Sequence, residues 1–243
     1  MFDFFQFSLP RAVTEQLIER LDQMETTPLG ATAIADLRRF SAQWKTAQGV
    51  YLIYVENCAT YAGKAVHLAD RLEQHLRKLR GRKNIDLNAV AFKALLLDEN
   101  WSTSANEDLL IEHYRSKDEC SWNKKGFGPK DPGQGRDDTR PSWFDTTFPV
   151  NELYPVVDIP DEISVANALG SIKGQLPYLM RYEEAPEAQS IPVNFAGVPR
   201  NARDVLKRIA EALGREWQLM LLPHGFTLYK GSKTYRHGVR LFP

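Results

Sequence analysis

The sequence predicts a mixed α/β fold, on three observations. Two runs rich in β-branched and aromatic residues, 49–55 and 90–97, read as strands. Stretches with apolar residues at helical spacing lie on either side of them. The composition, 43% hydrophobic and 26% charged over 243 residues, is that of a globular protein with one large domain or a core plus an appendage.

The elements follow in order. Residues 10–24 carry Val13, Leu17, Ile18 and Leu21 near helical spacing, and the Pro28-Leu29-Gly30 turn separates them from a second helix at 34–44. The strand at 49–55 runs through the Glu56-Asn57 turn into a partner at 59–62, a hairpin. A helix at 66–79 places Leu68, Leu72, His75, Leu76 and Leu79 on related faces. After the polar loop 81–86 comes the buried strand 90–97. The next helix, 104–114, has Ser104 as its N-cap and Glu107 at capping-box spacing. Residues 126–136 are dense in Gly and Pro, an ordered irregular loop of the kind that carries function beside a site. Residues 155–160 mark a boundary. Beyond it lie helices at 164–176 and 200–213, the second ended by Gly214, and strands 217–222 and 226–229 form a hairpin that closes the chain.

Lys plus Arg equals Asp plus Glu at 31 each, so the net charge is zero, unlike a typical nucleic-acid binder. The distribution is uneven, however. Arg71, Arg77, Lys78, Arg80, Arg82 and Lys83 stand against Glu73 alone, and Lys124, Lys125, Lys130, Arg136 and Arg140 form a second basic cluster. Acidic residues gather in 158–187, which predicts one basic face. Cys58 and Cys120 have neither a disulfide pattern nor metal-ligand spacing and read as reduced thiols. The short apolar start, with Asp3 inside it, is not a signal peptide, and no run has the ~18 apolar residues of a membrane helix. A cytoplasmic protein is expected.

The chemistry concentrates between Tyr51 and Asn123. Tyr51 ends Gly49-Val50-Tyr51, and ten residues on comes Tyr61-Ala62-Gly63-Lys64. Arg71 and His75, at i and i+4, share one helix face. Glu107 and the pair Trp122-Asn123 follow. Such a set suits metal-assisted cleavage of a phosphodiester, which needs an activated water, charge stabilisation on phosphorus and help for the departing oxygen. A tyrosine, with a free pKa near ~10, becomes a base only where cations favour its phenolate. Lys64 and His75 are placed to do that for Tyr51, which would then take a proton from water. Arg71 matches the non-bridging phosphate oxygens, and Glu107 would hold one divalent cation, Mg²⁺ before others. Glu112 is a rival ligand, and His67 a bystander or a further site residue. Arg77, Lys78, Arg80, Lys83, Lys125, Lys130 and Arg136 are the expected phosphate contacts.

These residues resemble the GIY-YIG nuclease superfamily, over roughly 48–145, with five separate motifs in the right order. The resemblance implies a core of a small mixed three-stranded sheet flanked by helices, in residues 47–150. Residues 1–46 become an N-terminal helical extension, and 151–243 a C-terminal helix-hairpin region for DNA recognition or dimerisation. It implies Tyr51 as general base, Tyr61 as support, Arg71 on the scissile phosphate, Glu107 on the metal, and Asn123 either as a brace or on the phosphate. The Arg71-x-x-x-His75 pair and the loop from Gly126 to Asp145 are similar to a Type II restriction endonuclease branch, in which the histidine belongs to the active site. That branch implies cleavage of double-stranded DNA by a homodimer, Mg²⁺ with Mn²⁺ as a substitute, and a cognate DNA methyltransferase. Two departures stand out: alanine replaces the isoleucine of YIG, and the 107–123 segment is long and lacks a proline before Trp122. A repair, mobile-element or toxin-type nuclease of relaxed specificity and a catalytically silent DNA-binding module are the other readings.

Overall fold

The computed structural model describes residues 8–98, 104–116, 120–128 and 133–243, without the side chains of 9, 10, 104–108, 115 and 134. Contacts divide the chain into two compact units, Met1–Leu76 with Asp86–Gly128, and Arg77–Ile85 with Pro129–Pro243.

The first unit is built on α1 (Leu9–Gln23), β1 (Thr27–Pro28), α2 (Ala31–Trp44), β2 (Gly49–Val55), β3 (Cys58–Ala65), the start of α3 (Leu68–Arg80), β4 (Val90–Leu96) and α4 (Ser104–Arg115). Its sheet has the order β1-β4-β2-β3 with every pair antiparallel. The expected small mixed three-stranded sheet is therefore corrected. A fourth, two-residue strand joins the edge, and no parallel pair occurs in it, because each strand is reached by a hairpin or a reversing connection. Glu56 and Asn57 take positive φ of 51° and 66°, the left-handed pair that a two-residue hairpin turn needs to follow the strand twist.

Alternation along β2 sorts its side chains. Val50, Leu52 and Tyr54 join Ile18, Leu21, Leu110, Ile111 and Tyr114 in one apolar cluster, so α1 and α4 cover that face. Tyr51 and Ile53 point the other way, and both faces of the strand are buried. The expected helical extension 1–46 thus groups with the sheet, since Ile18 and Leu21 bury their apolar face against it. The capping box of Ser104 and Glu107 lies outside the described side chains, although both residues are in α4.

The second unit contains α5 (Trp143–Thr147), β5 (Glu162–Ser164), α6 (Val165–Gln175), β6 (Leu179–Tyr182), β7 (Pro192–Asn194), α7 (Ala202–Leu213), β8 (Trp217–Leu222), β9 (Gly225–Lys230) and β10 (Val239–Phe242). Ser142, Ser164 and Asn201 cap α5, α6 and α7 by accepting from the backbone N–H three residues on. Gly214, at φ 102°, ends α7. The hairpin of β8 and β9 forms as expected but does not close the chain: β10 returns antiparallel to β8, and β6 adds parallel to β9. α6 and α7 supply Leu169, Ile172, Val205, Leu206 and Ile209 to the core beside Trp217, Leu219 and Phe226. Of the Gly/Pro-rich loop, 129–132 lie outside the described residues, and Gln134–Asp138 form a 3-10 turn.

Candidate active site

The outward alternation of β2 brings Tyr51 opposite Gly63 of β3. A Cβ on Gly63 would lie 2.6 Å from the Tyr51 hydroxyl oxygen and 3.0 Å from the Tyr61 ring, so only glycine lets both rings pack there. The two tyrosine rings lie 6.1 Å apart, and His75 reaches them from α3, with centroids 5.5 Å from Tyr51 and 5.4 Å from Tyr61. The Tyr51 hydroxyl and Nε2 of His75 are hydrogen-bonded at 2.7 Å. Tyr51 is fully buried and His75 nearly so.

Phe127 and Gly128 complete the cluster, and sequence reasoning had not singled either out as a site residue. The Phe127 ring stacks on His75 at 4.6 Å and meets Tyr61 edge-on at 5.0 Å. A Cβ on Gly128 would come within 2.3 Å of the Tyr61 hydroxyl oxygen. Arg71 donates from Nη2 to the Gly128 carbonyl at 2.8 Å and from Nη1 to Gln74 at 3.2 Å. An aromatic between two glycines after Trp122 was the available signal, because apolar residues are out of place in a solvated loop.

Burial first, then neighbouring Tyr61, pushes the Tyr51 phenol well above its ordinary pKa, and the opposing pull of Arg71 does not offset them. Arg71 favours the phenolate but is outweighed by burial, which favours the neutral phenol. Burial would lower the Arg71 guanidinium, but Tyr51 and Tyr61 outweigh it and leave Arg71 raised. Lys64, at the end of β3, is exposed.

Asn123 is placed as a brace. Its Oδ1 accepts from the Ala62 N–H at 2.9 Å and its Nδ2 donates to the Ala62 carbonyl at 2.8 Å. Cys120 and Trp122 donate backbone N–H groups to Ala59 and Thr60, so 120–123 line the free edge of β3. The alanine in place of the YIG isoleucine packs with Leu110 and Ile111, on the face away from the tyrosines. That departure leaves the cluster untouched.

The Glu107 side chain lies outside the described residues, and among those described no three His, Cys, Asp or Glu side chains gather as a metal site. Mg²⁺ binds through one or two carboxylates and keeps several waters, so a lone Glu107 with water and phosphate oxygens is a chemically fitting donor set. Glu112 on α4 is exposed.

The expected phosphate contacts separate into several groups. Arg80 and Lys125 are exposed, and Lys130 lies outside the described residues. Arg77 donates to the carbonyls of Gly174 and Leu176, Lys83 pairs with Glu152, and Lys78 stands 5.0 Å over the Phe144 ring. Arg136 pairs with buried Asp145. Arg82, counted in the same basic run, is buried and bonds Asp145 at 3.0 Å.

An antiparallel sheet carries two neighbouring tyrosines, with a histidine and an arginine on the adjoining helix and a loop closing over them. Residues 54–153 match the family described as the Eco29kI GIY-YIG domain, a GIY-YIG family of Type II restriction endonucleases. The chain carries a domain similar to that one, a likeness that supports a nuclease. The matched stretch includes Tyr61, Arg71, His75, Glu107 and Asn123, and starts three residues after Tyr51. No curated protein matches the chain. Among the described residues no helix is long and apolar enough to cross a membrane.

Proposed function

We propose that the chain is a metal-dependent endonuclease that cleaves double-stranded DNA as a restriction-type enzyme of phage defence. The observation that carries this reading is the 2.7 Å hydrogen bond between buried Tyr51 and His75, with Arg71 on the same helix face. A raised tyrosine is a weak base alone, yet it can relay a proton. Water gives its proton to the Tyr51 oxygen while the Tyr51 hydroxyl proton passes to Nε2 of His75. The resulting hydroxide forms a bond to phosphorus, the bond to the sugar oxygen breaks, and that oxygen takes a proton from solvent. Arg71 holds the non-bridging oxygens and stabilises the charge that grows on them. Phe127 keeps bulk water from the histidine, and Tyr61 and Lys64 position the tyrosine and the phosphate. Glu107 would hold the Mg²⁺, or Mn²⁺ in its place, whose charge neutralises the departing oxygen.

One such cluster serves one strand, so a double-strand break calls for a homodimer on a two-fold symmetric target. The enzyme would act in the cytoplasm beside a cognate methyltransferase. Digesting plasmid with purified protein in Mg²⁺, with Tyr51→Phe and Glu107→Ala variants and an EDTA control, tests the reading. Discrete fragments, lost in all three controls, are expected. Nicks or a smear would favour a repair or toxin-type nuclease. Intact plasmid that is still bound would leave only a silent binding module.

A further inference from the structure

The sheet of the first unit leaves one edge partly bare. Residues 120–123 line the outer side of β3, but β1 pairs with β4 only at Ala91 and Phe92. The Leu97 N–H bonds the Gln48 carbonyl, on the β2 side, at 2.9 Å. Alternation then turns the N–H and C=O of Ala94 and Leu96 away from β2, toward the open edge. They floor a groove of about 850 Å³ whose walls include Arg20 and Met24 at the end of α1 and Phe40 and Trp44 of α2. Phe40 and Trp44, four residues apart on one helix face, are 49% and 64% exposed, with ring centroids 6.1 Å apart. An open edge is ordinarily blunted by a charge. Lys93, the cation of β4, instead turns to the carbonyls of Leu21 and Asp22. An unguarded strand edge beside exposed aromatic rings is a surface for another strand.

We infer that this groove is the interface of the homodimer, with β4 of two copies paired antiparallel about a two-fold axis at Leu95. The inference rests on the proposed dimeric nuclease and names the surface that makes it a dimer. Register selects a second copy as the occupant. With Leu95 opposite itself, Ala94 of each copy faces Leu96 of the other, and both direct their N–H and C=O outward. Each such pair exchanges two hydrogen bonds. The same register sets Asp98 of each copy opposite Phe92 of the other, next to Lys93. Lys93 is held at 2.9 Å by the Leu21 carbonyl of α1, and Arg20 lines the groove on that turn. Opposite charges therefore meet on both sides of the axis, while Phe40 and Trp44 supply the aromatic contact usual at the centre of an interface.

The test is sedimentation of the full chain across a concentration series, in EDTA and without DNA. The wild type should dimerise. Ala94→Pro removes an outward donor and leaves the bonds to β2 intact, the one kind of strand position that accepts proline. Trp44→Glu sets a carboxylate on the exposed face of α2, where it does not disturb the core. Each should weaken dimerisation about a hundredfold with the thermal melt of the monomer unchanged, and Trp44→Phe should dimerise nearly as the wild type does. A monomeric wild type would overturn the inference and leave the groove to a different chain. So would a dimer that neither Ala94→Pro nor Trp44→Glu weakens. Plasmid cleavage in Mg²⁺ separates the two proposals. Cutting by a dimer indifferent to both variants sinks the interface alone, and a groove-dependent dimer that cuts nothing sinks the nuclease reading alone. Where both hold, the monomeric variants should nick plasmid that the wild type breaks.

Discussion

Tyr51 shows how a single residue takes its role from its surroundings. Its sequence neighbours offer cations, yet its hydroxyl is sealed between Gly63, Tyr61 and His75, and burial outweighs the pull of Arg71. Tyr51→Phe keeps the ring and removes the proton path. Cleavage should fall by about 10²–10⁴ while duplex affinity stays within about twofold, measured by digestion and by anisotropy. The same residue sets an alkaline limit. A raised folded pKa makes a stability contribution that is whole below the unfolded value of 10.0 and is lost as pH rises above it. Denaturation above pH 10.0 should therefore depend on pH less steeply in Tyr51→Phe than in the parent. The polar members of this site were legible in the sequence because each carries a group whose chemistry is distinctive at its spacing. Phe127 and Gly128 were not, since their role is shape, and shape exists only once 126–128 meets β3 and α3.

At the scale of elements, β3 depends on two local devices. Gly63→Ala would push a Cβ into the Tyr51 hydroxyl, so the strand or the ring must move. A loss of about 1–3 kcal/mol in urea unfolding is expected, with cleavage lost more completely than stability. Asn123→Ala leaves the N–H and carbonyl of Ala62 unpaired in the interior, at about 1–3 kcal/mol each. Unfolding should show that cost, and faster exchange of the Ala62 amide should localise it. The β2–β3 hairpin and the larger helices could be read from sequence because their signals are local: alternation, turn residues and caps. β1, β5, β7 and β10 run only two to four residues and owe their form to partners far along the chain, as Thr27–Pro28 owes it to Phe92 and Ala91. No periodicity can reveal a strand of two residues.

For the molecule as a whole, the second unit is organised about a charge that the sequence gives no reason to bury. Asp145 is fully buried between Arg82, Arg136 and the Ser142 hydroxyl. Burial alone would raise its carboxyl pKa, but the two guanidinium groups and Ser142 hold it below its ordinary 3.8. Its stabilising contribution is therefore whole above 3.8 and lost as pH falls through the lower folded value. Asp145→Asn leaves buried Arg82 and half-buried Arg136 without their shared counter-charge, at about 3–5 kcal/mol. Thermal melts at neutral pH should show that loss, and its pH dependence should flatten below 3.8.

By itself the sequence determined the class of fold, the hairpin with its two tyrosines, and the tyrosine, arginine and histidine proposed for the candidate site. Those features follow from spacing along the chain, which local backbone geometry converts directly into faces and turns. Only the tertiary structure decided that the Tyr51 phenol is buried against His75, that Phe127 stacks on the histidine, that Asn123 braces Ala62, and that Arg82 is a buried counter-ion. Desolvation and close packing depend on what arrives from distant parts of the chain, and a one-dimensional pattern carries neither.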